Sequence, residues 1–265
     1  MSSTKLAIHG AAGRMGQRLI ALAALDHNFT IVAAIERAGH PKLGEDAGLL
    51  AGAGKLDVPL SATLDRVADV IIDFSSPAGT LAIVKTCCER KVPLVVATTG
   101  LEADQLREVK EAASGMPLLW SPSMSLAVNL AMKLSAVAAG ALKDHPTGAD
   151  VEIIERHHRF KEDAPSGTAL RFGEIIAAEM GQSNQQHGRH GRPGQRPHNE
   201  IGYHAVRTGD NPGEHTIIFS LLGETLELTV RATNRDCYAH GALSAARFLV
   251  GKPAGLYGIS DVLGL

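Results

Sequence analysis

"KLAIHGAAGRMG" (5–16) decides the fold. Five residues with an apolar pattern predict a short strand, and glycines follow at 10, 13 and 16 where a helix should open. A strand that turns tightly into a helix aims backbone N–H groups and the helix N-terminus at one point. That geometry suits a diphosphate. The spacing is G-x-x-G-x-x-G, with Ala12 where a dinucleotide fingerprint usually has its second glycine. The turn therefore offers Gly10, Ala11, Ala12, Gly13, Arg14, Met15 and Gly16 to a cofactor, and Arg14 is placed to reach a phosphate.

Further along, "TIVAAIE" (30–36) predicts a second strand that ends on Glu36, 20 residues beyond Gly16. An acid there accepts hydrogen bonds from a ribose hydroxyl, and Arg37 beside it suits the 2'-phosphate of NADP. The two pull in opposite directions, so NADH and NADPH both remain open. "ADVIIDF" (68–74), "VPLVVAT" (92–98) and "PLLW" (117–120) continue the series, with helices near 78–90 and 102–113. Nearly continuous apolar strands joined by helices indicate a parallel sheet covered on both faces. Ligands bind outside the carboxyl ends of such strands. Phe74, the Thr98-Thr99-Gly100 turn and Ser121-Pro122-Ser123-Met124 stand at those ends and outline one edge of a crevice.

After about residue 127 the pattern changes. A long apolar helix leads to "ADVEIIERHH", a helix over about 167–180, a polar stretch and three strands. The last two meet at Gly223-Glu224, which predicts an antiparallel hairpin. The fold class is α/β: an N-terminal Rossmann-type parallel sheet with a C-terminal mixed-sheet α+β domain. The expected organisation is 1–127 for the dinucleotide, with 237–265 packing back onto it, and 128–236 for substrate and assembly. "GQSNQQHGRHGRPGQRPHN" (181–199) is expected to be a mobile, solvated loop, with a lid over an anion or an inter-subunit contact as alternatives.

The composition agrees with an enzyme of this kind. With 26 basic and 28 acidic residues and a net charge of -2, the chain as a whole is not a nucleic-acid binder. Three cysteines, Cys87, Cys88 and Cys237, form neither a disulfide framework nor a zinc pattern. His187 and His190 have no thiol or carboxylate beside them, so no metal is expected. "MSSTK" leaves no room for a signal peptide, and the apolar run 126–142 carries Asn129 and Lys133 and is short for a membrane span. A soluble, cytoplasmic protein is expected.

"IIERHHRFKEDAPSGTAL" (153–170) carries the chemistry. Neighbouring side chains in an extended segment point to opposite faces, so His157 and His158 should do different work. Lys161 follows four residues after His157, close enough to converge on one ligand if the chain turns. Asp163 or Ser166 is placed to cap the next helix, whose Gly167 and Thr168 N–H groups favour a carboxylate or phosphate. A small anionic substrate, most simply a carboxylate, fits.

"GAAGRMG", "DFS", "TTG" and above all "ERHHRFKEDAPSGTA", with "GEHTIIF" and the closing "ATNR…GAL", resemble the 4-hydroxy-tetrahydrodipicolinate reductase family over essentially the whole chain. The resemblance implies His157 as catalytic acid/base, Lys161 as proton donor, and His158, Ser166, Gly167 and Thr168 as contacts to a small dicarboxylate. For NADH or NADPH it implies residues 10–16, Glu36, Arg37, Phe74, Thr98, Thr99, Gly100 and Ser121 to Met124. It also implies a homotetramer. Ser123 stands where the family usually has Asn, and Ala97 where it usually has Gly; neither touches the histidine–lysine stretch. Two other function classes fit parts of the same sequence. One is another NAD(P)-dependent reductase of imines or keto acids. The other is a non-catalytic dinucleotide sensor, against which the intact His157/His158/Lys161 cluster argues. A lyase with Lys161 as Schiff-base nucleophile is a further competing enzyme reading.

Overall fold

The computed structural model describes residues 3–265; Met1 and Ser2, the start of the MSSTK reading, lie outside the described residues. In chain order the first stretch holds β1 (Thr4–His9), α1 (Arg14–Leu25), β2 (Phe29–Ile35), α2 (Ala47–Leu50), β3 (Leu60–Ser61), β4 (Val70–Asp73), α3 (Pro77–Arg90), β5 (Leu94–Val96), α4 (Ala103–Glu111) and β6 (Pro117–Trp120). Then come α5 (Leu126–Leu142), β7 (Asp150–His157), α6 (Gly167–Met180), β8 (Asn184–His187), β9 (Glu200–Arg207), β10 (Glu214–Leu221) and β11 (Glu224–Arg231). The chain closes with α7 (Asp236–Leu249), β12 (Gly255–Tyr257) and α8 (Ile259–Leu263).

Two compact units result: Met1–Leu126 with Asp236–Leu265, and Ala127–Arg235. The first is a seven-stranded sheet in the order β12-β6-β5-β4-β1-β2-β3, and every pairing is parallel. Its strands are buried on both faces, which is why they read as apolar runs without alternation. Leu6, Ile8, Val70 and Ile72 join α1 and α7 on one side. Ala7, Ile71, Leu94 and Val96 join α3 and α4 on the other. The period of two is present, but both phases are apolar. The short β3 and β12 at the two edges carry no such run and do not stand out in the sequence.

The second unit is a mixed five-stranded sheet in the order β11-β10-β7-β9-β8. The central β7 runs antiparallel to β10 and parallel to β9. Val151, Ile153, Ile201, Tyr203, Ile217 and Phe219 form one face, packed with α6 residues Phe172 and Ile176 and α5 residues Ala131 and Ala139. The opposite face carries Glu152, Ile154, His204, Thr216 and Ile218. β10 and β11 form the expected hairpin, with Gly223 at φ +97° in its turn.

The 181–199 segment differs from the expected mobile loop. Asn184–His187 is a strand, β8, hydrogen-bonded in parallel to β9. Arg189 forks onto Glu152 at 3.0 and 2.6 Å and also pairs with Glu200. Arg196 bonds Glu152 at 3.0 Å and Asp150 at 2.6 Å, and His204 reaches the same Glu152 at 2.7 Å. Burial raises the Glu152 carboxyl, but Arg189, His204 and Arg196 together bring it down to about 2. Arg189 and Arg196 tie this largely exposed segment to acids of β7 and β9. Those partners lie 11 to 46 residues away in sequence, beyond any local signal.

Candidate functional site

The glycine turn is built from close backbone approaches. Gly10 has φ +75°, and a Cβ there would sit 2.5 Å from the Phe74 carbonyl oxygen. A Cβ on Gly16 would sit 2.2 Å from the Gly10 oxygen. Glycine is therefore required at both positions for α1 to start directly under the turn. Gly13 occupies the N-cap of α1 without a side-chain cap, so the first-turn N–H groups stay available. Glu36 closes the turn from the side: its carboxylate accepts from Ala12 N at 3.3 Å and from Arg37 N at 2.9 Å. Arg14 and Arg37 are exposed, and Met15 packs against the core.

A cavity of about 650 Å³ opens beside this turn, lined by Gly10, Gly13, Glu36, Arg37, Phe74 and the start of α3. It lies at the carboxyl ends of β1, β2 and β4, where a dinucleotide binds in this sheet type. Its volume is in the range of small-ligand sites. The remaining candidates occupy the neighbouring strand ends in three ways. Thr99 and Gly100 are exposed. Thr98 is buried; its hydroxyl donates to Asp73 and accepts from Ser75 N at 3.1 Å. Ser121 is buried and donates to the Ser123 carbonyl at 2.7 Å, Pro122 is exposed, and Met124 sits in the core at 2% exposure. Met124 thus has only backbone to offer a ligand.

In the second unit the candidates gather at the end of β7 around one carboxylate. Glu155 is fully buried. Arg207 forks onto it, with both N–O distances 2.8 Å; His157 Nδ1 lies 2.6 Å from Oε2, and Ser166 N donates to Oε1 at 3.1 Å. Strand geometry explains the cluster. Glu155 and His157 are two residues apart on one face, and Arg207 is the register partner of His157 across β7 and β9. Burial raises the Glu155 carboxyl, but Arg207 and His157 outweigh it and hold it below its ordinary range. An ionised Glu155 fixes the Nδ1–H tautomer of His157 and leaves Nε2 as the unprotonated edge of the ring.

Burial lowers the His157 pKa, and nearby Lys161 and Arg207 lower it further against the pull of Glu155. Without a ligand the ring is neutral at pH 7. His215 stands edge-on to it, with centroids 5.3 Å apart, and burial takes its pKa down to about 4. Ser166 caps α6 by accepting from Ala169 N at 3.2 Å, and its hydroxyl contacts His215 Nε2 at 3.0 Å. Asp163 instead holds Lys161 Nζ at 2.7 and 2.9 Å. Gly167 is exposed, with open space where a Cβ would be, and Thr168 is half-buried. The N–H groups of this first turn have no partner inside the helix. His158 Nδ1 is buried with no hydrogen-bond partner among the described residues.

Glu155, Arg207 and His215 were not among the sequence candidates. Period-two spacing from His157 points to Glu155. Arg207 and His215 come from other strands and emerge only with the register.

Comparison with known proteins follows the same two-part division. Residues 4–124 match the family model for the dihydrodipicolinate reductase N-terminus, and 127–263 that for its C-terminus. The 4-hydroxy-tetrahydrodipicolinate reductase of Rhodopirellula baltica is 53% identical over 268 residues, covering 98% of this chain and 96% of that one. The enzyme of the same name from Burkholderia thailandensis is 45% identical over the full length of both. Among solved structures, dipicolinate-bound dihydrodipicolinate reductase from Paenisporosarcina sp. TG-14 superposes with a TM-score of 0.79 at 25% identity, covering 98% and 99% of the two chains. An amine dehydrogenase from Mycobacterium smegmatis, 13% identical with a TM-score of 0.66, shares the fold. With both halves matched in order and relatives this similar along their whole length, the chain belongs to the dihydrodipicolinate reductase family.

Proposed function

We propose that the protein reduces (2S,4S)-4-hydroxy-2,3,4,5-tetrahydrodipicolinate to tetrahydrodipicolinate, with loss of water, using NADH or NADPH, in the biosynthesis of diaminopimelate and lysine. The observation that carries this reading is the Glu155-centred cluster, which holds His157 beside Lys161 at the N-terminus of α6. Hydride comes from the reduced nicotinamide when bound. The residues suited to hold the cofactor are the turn Gly10 to Gly16, Glu36 and Arg37 at the ribose, and the strand ends at Phe74, Thr98 to Gly100 and Ser121 to Met124.

The second unit must then bind a dianion and deliver one proton to the ring carbon beside the one that accepts hydride. The Gly167 and Thr168 N–H groups and the α6 dipole suit one substrate carboxylate. Ser166 supports them as the cap. His158 Nδ1 offers a further contact. Lys161, held by Asp163 without substrate, is the cation that stabilises charge developing on the ring and donates the proton. His157 is neutral before binding; a nearby dianion offsets Lys161 and Arg207 and favours its protonated form. His157 Nε2 then serves as acid/base while Glu155 fixes the ring.

We further infer a homotetramer and a cytoplasmic location. The face of the second sheet opposite α5 and α6 exposes Val206 at 39% beside half-buried Ile154 and Ile218, which suits a partner copy. The described residues contain no disulfide, and no helix among them is long and apolar enough to cross a membrane.

The test is nicotinamide oxidation with freshly generated hydroxy-tetrahydrodipicolinate, alongside dipicolinate as a competing ligand. Turnover with either cofactor, inhibited competitively by dipicolinate, supports the reading. Cofactor binding without turnover of this substrate, but with turnover of another imine or keto acid, overturns it.

A further inference from the structure

One buried ion pair belongs to neither the substrate cluster nor the cofactor contacts above. β1 ends on His9, which lies beside Asp73 in the parallel register of β1 with β4. His9 Nδ1 is 2.7 Å from Asp73 Oδ1. The second oxygen, Oδ2, accepts from the hydroxyls of Thr80 at 2.6 Å and Thr98 at 2.9 Å. Asp73 is fully buried; burial raises its carboxyl, but the bonds from His9, Ser75 and Thr80 prevail and hold it below the ordinary range. An ionised carboxylate only accepts, so the Nδ1 proton stays on His9 and Nε2 is the free edge of the ring.

That edge is not sealed. The His9 side chain is 10% exposed, and it lines the cavity that Gly10, Gly13, Glu36 and Arg37 also line. Its Cε1, bonded to Nε2, is 3.2 Å from where a Cβ on Gly79 would lie, in the first turn of α3. No protein group among the described residues hydrogen-bonds Nε2. Packing alone would favour an apolar residue at the end of a central parallel strand. A buried pair there carries a desolvation cost that a well-packed apolar pair would not.

We propose that His9, held by Asp73, is a further dinucleotide-binding residue whose Nε2 donates to the diphosphate of the bound cofactor. A bare Asp73 carboxylate beneath the glycine turn would repel that diphosphate; an imidazolium between them neutralises the carboxylate and presents an N–H. The charged groups facing this position are Asp73 from β4 and, around the cavity, Glu36 and Arg37 after β2. From α3 come Thr80 and Cys87, whose thiol burial pushes well up so that it stays neutral.

The inference rests on the dinucleotide reading of the first unit, and the test separates the two. NADH is titrated into full-length wild type, His9→Asn and His9→Gln, followed by nicotinamide fluorescence, with thermal unfolding of each ligand-free protein alongside. Asn keeps a donor toward Asp73 but does not reach the cavity; Gln places an amide where Nε2 was. The expected result is an affinity about ten- to a hundredfold weaker in His9→Asn, as for one charge-assisted hydrogen bond. Gln recovers part of the affinity. Wild-type affinity in His9→Asn overturns the proposal. So does an affinity loss that only follows a fall in ligand-free thermal stability and that Gln does not relieve. Failure of the wild type to bind NADH or NADPH overturns the cofactor reading itself.

Discussion

In the first unit the candidate surface is largely main chain. Gly10 and Gly16 allow backbone contacts that a Cβ would block, Gly13 starts α1 without a cap, and Glu36 braces the turn through the Ala12 N–H. In the second unit the candidate surface is side chains: His157, Lys161, Arg207 and His215 gathered around Glu155 and capped by Ser166. The difference follows from what each must do. A diphosphate carries fixed charge and needs only N–H groups in a fixed place. A ring that gains a proton needs titratable groups whose charge changes, and those must be shielded and oriented.

The comparison can be broken first at His157. His157→Gln should cut turnover by about a hundred- to ten-thousandfold, the usual span for a general acid–base group, while cofactor affinity stays put; steady-state kinetics beside a binding titration checks both. Glu155→Ala comes next. It strands Arg207 and leaves His157 without its anchor, and removing one partner of a buried pair costs about 3–5 kcal/mol. Urea denaturation should show that loss in the second unit.

Acid provides a third break. The His215 pKa falls from 6.5 unfolded to about 4 folded. Between those values the unfolded chain holds a proton that the folded chain lacks. Stability is therefore full above pH 6.5 and declines as pH drops toward 4, by about 3 kcal/mol for this one group. His215→Phe should flatten that part of the pH–stability curve; an unchanged curve would assign the acid sensitivity elsewhere. The smallest effect is expected at the backbone site. Gly16→Ala places a Cβ 2.2 Å from the Gly10 oxygen. Overpacking of this kind costs about 1–3 kcal/mol, and it should appear mainly as weaker NADH binding because the turn is what must shift.

The same contrast explains what could be read without coordinates. A backbone site is written locally: strand, three glycines and an acid 20 residues on announce the turn, and in the structure Glu36 accepts a hydrogen bond from Ala12 N. The fold was legible for the same reason, since Val/Ile-rich runs between helices mark a parallel sheet. A side-chain cluster is written across strands. "ERHHRFKEDAPSGT" shows the histidines, the lysine and the helix cap, but Arg207 and His215 join them only once β9 and β10 pair with β7. The 181–199 segment misleads in the same way. Arg189 and Arg196 show no partner in the sequence until Glu152 and Glu200 appear opposite them.

The most direct test of this division of labour is the NADH dissociation constant of Lys161→Ala, measured on the preparation whose turnover is determined. Turnover lost by orders of magnitude with an unchanged dissociation constant is the predicted result. Turnover retained, or cofactor binding weakened in step with it, would contradict the assignment of cofactor binding to the first unit and proton delivery to the second.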